Sequence, residues 1–296
     1  MEYEKVSSQN RMYGCGETLL NMTIIGGVAF PAGYMDNIME TYMHQYTEFQ
    51  TRKGIVTGSA SGIGRATALY LGGLGAELVL ADFDVDGANK VAEEIAAAGG
   101  KKSLAVKTDI ANEENVKSLV KTAAERLGDI DFLVNSAGIL RRTPFLEITT
   151  DEWDLMMNVN LRGQYIICRE VLRHMQPKGK GVIVNVASLA GRTCSILGGA
   201  HYTTAKHALV GFSRHLAREF AGQGIRINAF CPGATRTPMV EDRSSAEELN
   251  RLDSAIPRGT MADPMDHATV IAFMLSDASK NIIGACIDSN GGSLMI

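Results

Sequence analysis

The run T-G-S-A-S-G-I-G at residues 57 to 64 constrains the fold more than any other part of this 296-residue chain. It follows a short apolar stretch, Lys53 to Thr57, and opens a pattern of apolar residues at helical spacing: Ile63, Ala66, Tyr70, Leu71 and Leu74. Strand, glycine-rich turn and helix in succession can bind a pyrophosphate, because the helix N-terminus offers free N–H groups and the positive end of its dipole. Glycines at 58, 62 and 64 allow the tight turn, the approach of phosphate to main chain and the packing of helix on strand. A glycine-rich turn with no ligand is the bland alternative, and the rest of the chain has to decide.

It decides through alternation. Glu77 to Asp82 reads as a strand whose terminal carboxylate, 18 residues beyond Gly64, can accept hydrogen bonds from a ribose diol and repel a 2′-phosphate. Val85, Ala88, Val91, Ala92 and Ile95 mark a helix ended by Gly99 and Gly100, Ser103 to Lys107 a strand, and Val116, Leu119, Val120, Ala123 and Leu127 a helix closed by Gly128. Ile130 to Val134 is the fourth strand and runs into N-S-A-G at 135 to 138. Thr149 and Glu152 predict a capping box for a long helix reaching about Met175. Gly181 to Val186 is a buried-type strand delivering Ser188, and Ile225 to Phe230 is the next, followed by C-P-G-A-T-R-T-P at 231 to 238. No repeat or composition break interrupts residues 51 to 296. The expected fold is α/β: one Rossmann-type, doubly wound parallel sheet with helices on both faces.

The chemistry sits at Tyr202 and Lys206, four residues apart and so on one face of a helix. An ammonium ~4 Å from a phenol, at an effective dielectric of ~20, favours the phenolate by ~4 kcal/mol before desolvation, roughly three pKa units. That would make Tyr202 a usable general acid/base. The pair alone is common on helices and gains weight only from its surroundings.

Other function classes lose ground on composition. A net charge of -4 and a pI near 5.9 give no reason to expect nucleic acid or an anionic membrane as partner. Cys15, Cys168, Cys194, Cys231 and Cys286 are scattered, lack zinc-ligand spacing and read as reduced thiols of a cytoplasmic protein. The six histidines form no metal-binding motif, so no metal site is expected. Residues 1–50 read as an extension ahead of a domain spanning 51–296. Its segment from Leu19 to Phe30 is too short to span a bilayer. Tyr34, Met35, Ile38, Met39, Tyr42, Met43, Tyr46 and Phe49 predict an amphipathic helix over about 34–49 that packs on protein, because no lysine or arginine lies between them.

Taken together, the motifs at 57–64, 135–138 and 232–237, with Asn160, Ser188 and Y-x-x-x-K at 202–206, resemble the short-chain dehydrogenase/reductase family over about residues 51 to 296. The resemblance implies a sheet of about seven strands, a nicotinamide dinucleotide as cofactor, and a catalytic set of Asn160, Ser188, Tyr202 and Lys206. It further implies cofactor contacts at Gly58, Ser61, Gly62, Ile63, Gly64, Asp82, Phe83, Asp109, Ile110, Asn135, Ala137, Gly138, Tyr202, Lys206, Pro232, Gly233, Thr235 and Thr237. Asp82, with no basic group at Ser61 or Phe83, favours NAD over NADP. In this reading Tyr202 exchanges the proton, Ser188 holds the substrate oxygen, Lys206 tunes the phenol and holds the nicotinamide ribose, and Asn160 anchors a water. A homo-oligomer, a dimer or tetramer built through the helices of Asn160 and Tyr202, is also implied.

The chain departs from the family pattern at Ser136, Ala187 and Asn290, each beside a motif residue and none within the catalytic set. The expected activity is interconversion of a secondary alcohol and a ketone by hydride transfer. The alternatives are 3-oxoacyl-(acyl-carrier-protein) reduction, which usually goes with NADPH, and non-catalytic dinucleotide sensing. Candidate pocket residues are Leu140, Arg141, Arg142, Arg192 to Leu197, His201 and the segment from Met239 to Asp253; the two adjacent arginines read either as carboxylate or phosphate ligands or as solvated surface charge.

Overall fold

The structure is a computed structural model that describes residues 22–25, 28–31 and 47–296. The chain divides into two compact units, Met1–His44 and Gln45–Ile296. In the first, Met22–Ile25 pairs antiparallel with Val28–Pro31. The helix expected over 34–49 lies outside the described residues as far as residue 46, and Glu48–Gln50 is a single 3-10 turn.

In the second unit the strands are β1 (Lys53–Thr57), β2 (Glu77–Asp82), β3 (Leu104–Lys107), β4 (Phe132–Asn135), β5 (Gly181–Val186), β6 (Ile225–Pro232) and β7 (Cys286–Ser289). They form one seven-stranded, wholly parallel sheet in the order β3-β2-β1-β4-β5-β6-β7. The helices are α1 (Gly62–Gly73), α2 (Val85–Ala97), α3 (Glu113–Leu127), α4 (Thr150–Met157), α5 (Gly163–Met175), α6 (Ala200–Phe220), α7 (Pro238–Glu241), α8 (Ala246–Ala255) and α9 (Pro264–Leu275). The expected alternation is met, with β4 two residues later than its pattern suggested.

Successive residues of each central strand enter opposite layers. Ile55, Leu133 and Ile183 join a core with Val116 and Leu119 of α3 and Ile166 and Val171 of α5. Val56, Val134 and Val184 join a second core with Leu71 of α1, Ile95 of α2 and Ile271 of α9. Both faces are covered, which is why these strands read as continuous apolar runs rather than alternating ones. Among the described residues no helix is long and apolar enough to cross a membrane.

Phe49 belongs to this core although it precedes β1. It is 1 % exposed and meets Phe132 edge-on at 6.4 Å between ring centroids. Gly54 makes room, since a Cβ there would stand 2.3 Å from the Phe132 ring. Phe49→Ala is expected to cost about 3–5 kcal/mol of unfolding free energy, read from the midpoint of a urea titration. A loss below about 1 kcal/mol would place Phe49 outside the core.

Two local features position the site. Asn112 and Thr149 cap α3 and α4 through backbone N–H groups, but the capping box at Thr149 is only half formed. Thr149 Oγ1 accepts from Glu152 N–H at 3.1 Å, whereas the Glu152 carboxylate turns to His201 Nε2 at 2.8 Å. Between α4 and α5 a π-turn at Asn158–Arg162 interrupts the expected single helix. It carries Asn160, which is fully buried. Such turns recur at functional sites because they re-aim side chains without ending the helix.

Candidate active site

Strand order reverses between β1 and β4, and in doubly wound sheets the crevice at the carboxyl ends beside such a switch point is where ligands bind. Thr57 Oγ1 ties the two strand ends together by accepting from the N–H groups of Ser136 and Ala137, both at 3.1 Å. Ser136 therefore leaves the turn intact. A cleft of about 720 Å3 opens here. Every residue expected to contact cofactor lines it except Gly64 and Asn135.

Those two exceptions have physical reasons. A Cβ on Gly64 would stand 2.0 Å from the Gly58 carbonyl oxygen, so this glycine serves the packing of α1 on its turn rather than the cleft wall. Asn135 is fully buried inside the sheet, where its Nδ2 donates to Asn185 Oδ1 at 3.0 Å. Asn185 Nδ2 in turn donates to Ser213 Oγ at 2.9 Å, which links β4, β5 and α6. The Asn135 side chain thus holds the strand ends in register, and a cofactor contact of this residue would run through its main chain. Asn185 and Ser213 went unnoticed in the sequence because a lone asparagine inside V-I-V-N-V looks like a strand residue of either face.

The remaining residues fit a dinucleotide. Gly58 and Gly62 have φ of +64° and +54°, and a Cβ on Gly58 would lie 2.8 Å from Ala137 N, so no side chain can fill this cradle. Asp82 Oδ2 accepts from Ala60 N–H and Oδ1 from Asp84 N–H, both at 2.9 Å, which fixes the carboxylate at the end of β2. Thr235 faces inward: its hydroxyl donates to Gly233 O and pairs with His267 Nε2 at 2.9 Å. Burial drives His267 down to about 4, so the ring stays neutral between Thr235 and Ser289. Asn290, one of the departures from the family pattern, keeps a local turn bond, its Oδ1 accepting from Gly292 N–H at 3.0 Å.

Ser188, Tyr202 and Lys206 meet on one wall of the cleft. The Tyr202 ring packs with Leu140, Met156 and Ala190, and its hydroxyl lies beside the Ser188 side chain. Ser188 Oγ also accepts from Ala190 N–H at 3.0 Å, which leaves its own proton for the phenol or for a substrate oxygen. Lys206 Nζ donates to Val186 O at 2.9 Å and lies 5.8 Å from the Tyr202 ring centroid.

The electrostatics differ from the sequence expectation. Burial pushes the Tyr202 phenol up, only partly offset by the Ser188 side chain, and it pushes the Lys206 ammonium down to about 8. In this structure burial, not Lys206, sets the direction of the phenol's shift, and the ammonium donates to the Val186 carbonyl. Asn160 is engaged at both ends by the main chain of Ile139: Oδ1 accepts from its N–H and Nδ2 donates to its carbonyl, each at 3.0 Å. Its side chain thus fixes the turn after β4. His201 faces away from the cleft, with Nδ1 accepting from Tyr202 N–H at 2.8 Å and Nε2 facing Glu152.

A family model described as enoyl-(acyl carrier protein) reductase matches residues 58–293. With the strand order, the glycine cradle and the Ser188–Tyr202–Lys206 wall, this makes the chain a member of the short-chain dehydrogenase/reductase family, and thus an oxidoreductase. Its structure is similar to that of a short-chain type dehydrogenase/reductase from Mycobacterium marinum, with a TM-score of 0.79 at 30 % identity over 83 % of this chain and 96 % of that one. Among curated relatives, cis-4-hydroxycyclohexanecarboxylate dehydrogenase of Sinomonas cyclohexanicum is 36 % identical over 82 % of this chain and 97 % of its own length. The 3-oxoacyl-[acyl-carrier-protein] reductase of Aquifex aeolicus is 34 % identical over 83 % of this chain and 98 % of its own.

Proposed function

We propose that the chain interconverts a secondary alcohol and a ketone with NAD(H), Tyr202 carrying the proton. The observation that supports this best is the convergence of Ser188, Tyr202 and Lys206 on one wall of a cleft whose other wall is the glycine cradle. When bound, a nicotinamide dinucleotide supplies or takes the hydride. Gly58, Ser61 and Gly62 would hold its phosphates, Asp82 its adenosine ribose, and Thr235 and Thr237 would flank its nicotinamide end. Ser188 donates to the substrate oxygen, and Tyr202, protonated at neutral pH, gives that oxygen its proton in the direction of reduction. Lys206 stabilises the phenolate that remains. Residues 1–50 are assigned no part in this chemistry, and a homo-oligomer through the helices of Asn160 and Tyr202 belongs to the same proposal.

A panel of alcohols and ketones, followed by NADH absorbance at 340 nm, tests the assignment. Cofactor binding without turnover of any member would instead favour a dinucleotide sensor. Reduction of an acyl thioester ketone in preference to all free ketones would favour the acyl-carrier reading.

Cofactor choice is expected to follow Asp82. A 2′-phosphate would meet its carboxylate, and Lys107 lies 5.9 Å from the centroid of the exposed Phe83 ring. Asp82→Ala with Phe83→Arg removes the repulsion and sets two cations at this end of the cleft. The ratio of kcat/KM for NADP(H) over NAD(H) should rise by about 100-fold, the scale of one charge-assisted pair gained and one repulsion lost. A wild-type preference for NADP(H) would contradict the assignment.

A further inference from the structure

The substrate half of the cleft is largely apolar. Leu140, Leu155, Ile196, Leu197, Met239 and Val240 form much of its wall, and Arg141 is the one basic residue lining the cleft besides Lys206. Its neighbour Arg142 is engaged through both terminal nitrogens. Arg142 Nη1 binds both carboxylate oxygens of Glu248 at 3.0 and 3.1 Å, and Nη2 reaches Ser244 Oγ at 2.8 Å, which clamps α7 and α8 over the turn after β4.

Arg141 has no such partner. Its Nη1 donates to the Leu140 carbonyl at 3.3 Å, and no carboxylate pairs with it among the described residues. Arg243, from the segment between α7 and α8, donates to the same carbonyl at 3.1 Å and also forms no ion pair among the described residues. Glu152 is near enough to feel the Arg141 charge, yet its carboxylate is bonded to His201 Nε2 at 2.8 Å. Two guanidinium groups thus converge on one carbonyl without an anion between them. Like charges so placed repel each other, and a carboxylate bound bidentately by one and faced by the other would relieve it. The place is close to the chemistry, because Leu140 packs on Tyr202 and Arg141 O accepts from Gly199 N–H, at the start of the helix that carries Tyr202.

We infer that Arg141, with Arg243 beside it, recognises a carboxylate on the substrate, so that the substrates are an apolar keto acid and the corresponding hydroxy acid. This rests on the alcohol and ketone reading above and deepens it.

The test compares 4-oxocyclohexanecarboxylate with its methyl ester and with the phosphate monoester of 4-hydroxycyclohexanone, each with NADH and the full chain. The acid is expected to exceed the ester in kcat/KM by about 10- to 100-fold, carried mainly by KM, which is the scale of a hydrogen bond to a charged group. Arg141→Gln should bring that ratio near one, and Arg243→Gln should lower it in part. Turnover of the ester by either variant reports that it is folded. An acid-to-ester ratio near one in the wild type, a ratio unaffected by Arg141→Gln, or a preference for the phosphate ester over the acid would overturn the inference. In each of those outcomes ketone turnover still upholds the oxidoreductase reading, while absence of turnover for all three compounds and for the wider ketone panel would fell both.

Discussion

Replacing Tyr202 by phenylalanine is expected to lower turnover by at least ~100-fold while NADH binding stays nearly constant. The phenyl ring keeps its packing with Leu140, Met156 and Ala190, so the wall of the cleft is preserved. What is lost is the O–H that gives its proton to the substrate oxygen in the proposed reaction. The neighbouring groups on this wall are otherwise occupied: Ser188 Oγ is bonded to Ala190 N–H and Lys206 Nζ to the Val186 carbonyl. Single-turnover rates and NADH titrations on the same preparation separate the two effects. Near-normal turnover would show that Tyr202 is not the acid.

The second large effect is expected at Lys206, where activity and stability should part company. Lys206→Met should lower turnover by a similar factor and weaken cofactor binding, because the ammonium both stabilises the phenolate and reaches the nicotinamide ribose in the proposed complex. Stability should respond differently. Burial holds the folded pKa at about 8, below the ordinary lysine value of 10.5, which means that the buried ammonium costs about 3 kcal/mol at neutral pH. Methionine removes that cost and leaves the Val186 carbonyl short of one donor, a penalty of about 1–3 kcal/mol. The melting temperature is therefore expected to hold or rise at pH 7. Between pH 8 and 10.5 the unfolded wild type binds more protons than the folded form, so wild-type stability gains with pH across that window and the variant's relative advantage shrinks. An advantage that grew with pH would show that burial does not depress this lysine.

How much of this was legible in the sequence follows from what each signal encodes. Strand and helix order was readable because both faces of the sheet are covered, giving apolar runs such as V-I-V-N-V, and because glycines such as Gly128, at φ +75°, mark helix ends. The pairing of Tyr202 with Lys206 was readable because both are local to one helix turn. Long-range polar pairings were not. Glu152 looks like half of a capping box, and only the fold brings it to His201, 49 residues away. Arg141 and Arg142 look alike in sequence. One is engaged by Glu248, 106 residues distant, and the other is left facing the cleft. The sign of the Tyr202 shift also escaped the sequence, since burial depends on Leu140, Met156 and Ala190, none of which is a helical neighbour.

The central claim is that hydride comes from the cofactor while Tyr202 supplies the proton. Deuterium transfer tests it most directly: reduction of a ketone substrate with NADH deuterated on both faces of C4, in ordinary water, followed by mass spectrometry of the alcohol. One deuterium at the carbinol carbon is expected with the wild type, and its rate of appearance should fall by at least ~100-fold in Tyr202→Phe. Alcohol formed without deuterium at that carbon, or labelling at an undiminished rate in the variant, would contradict the account.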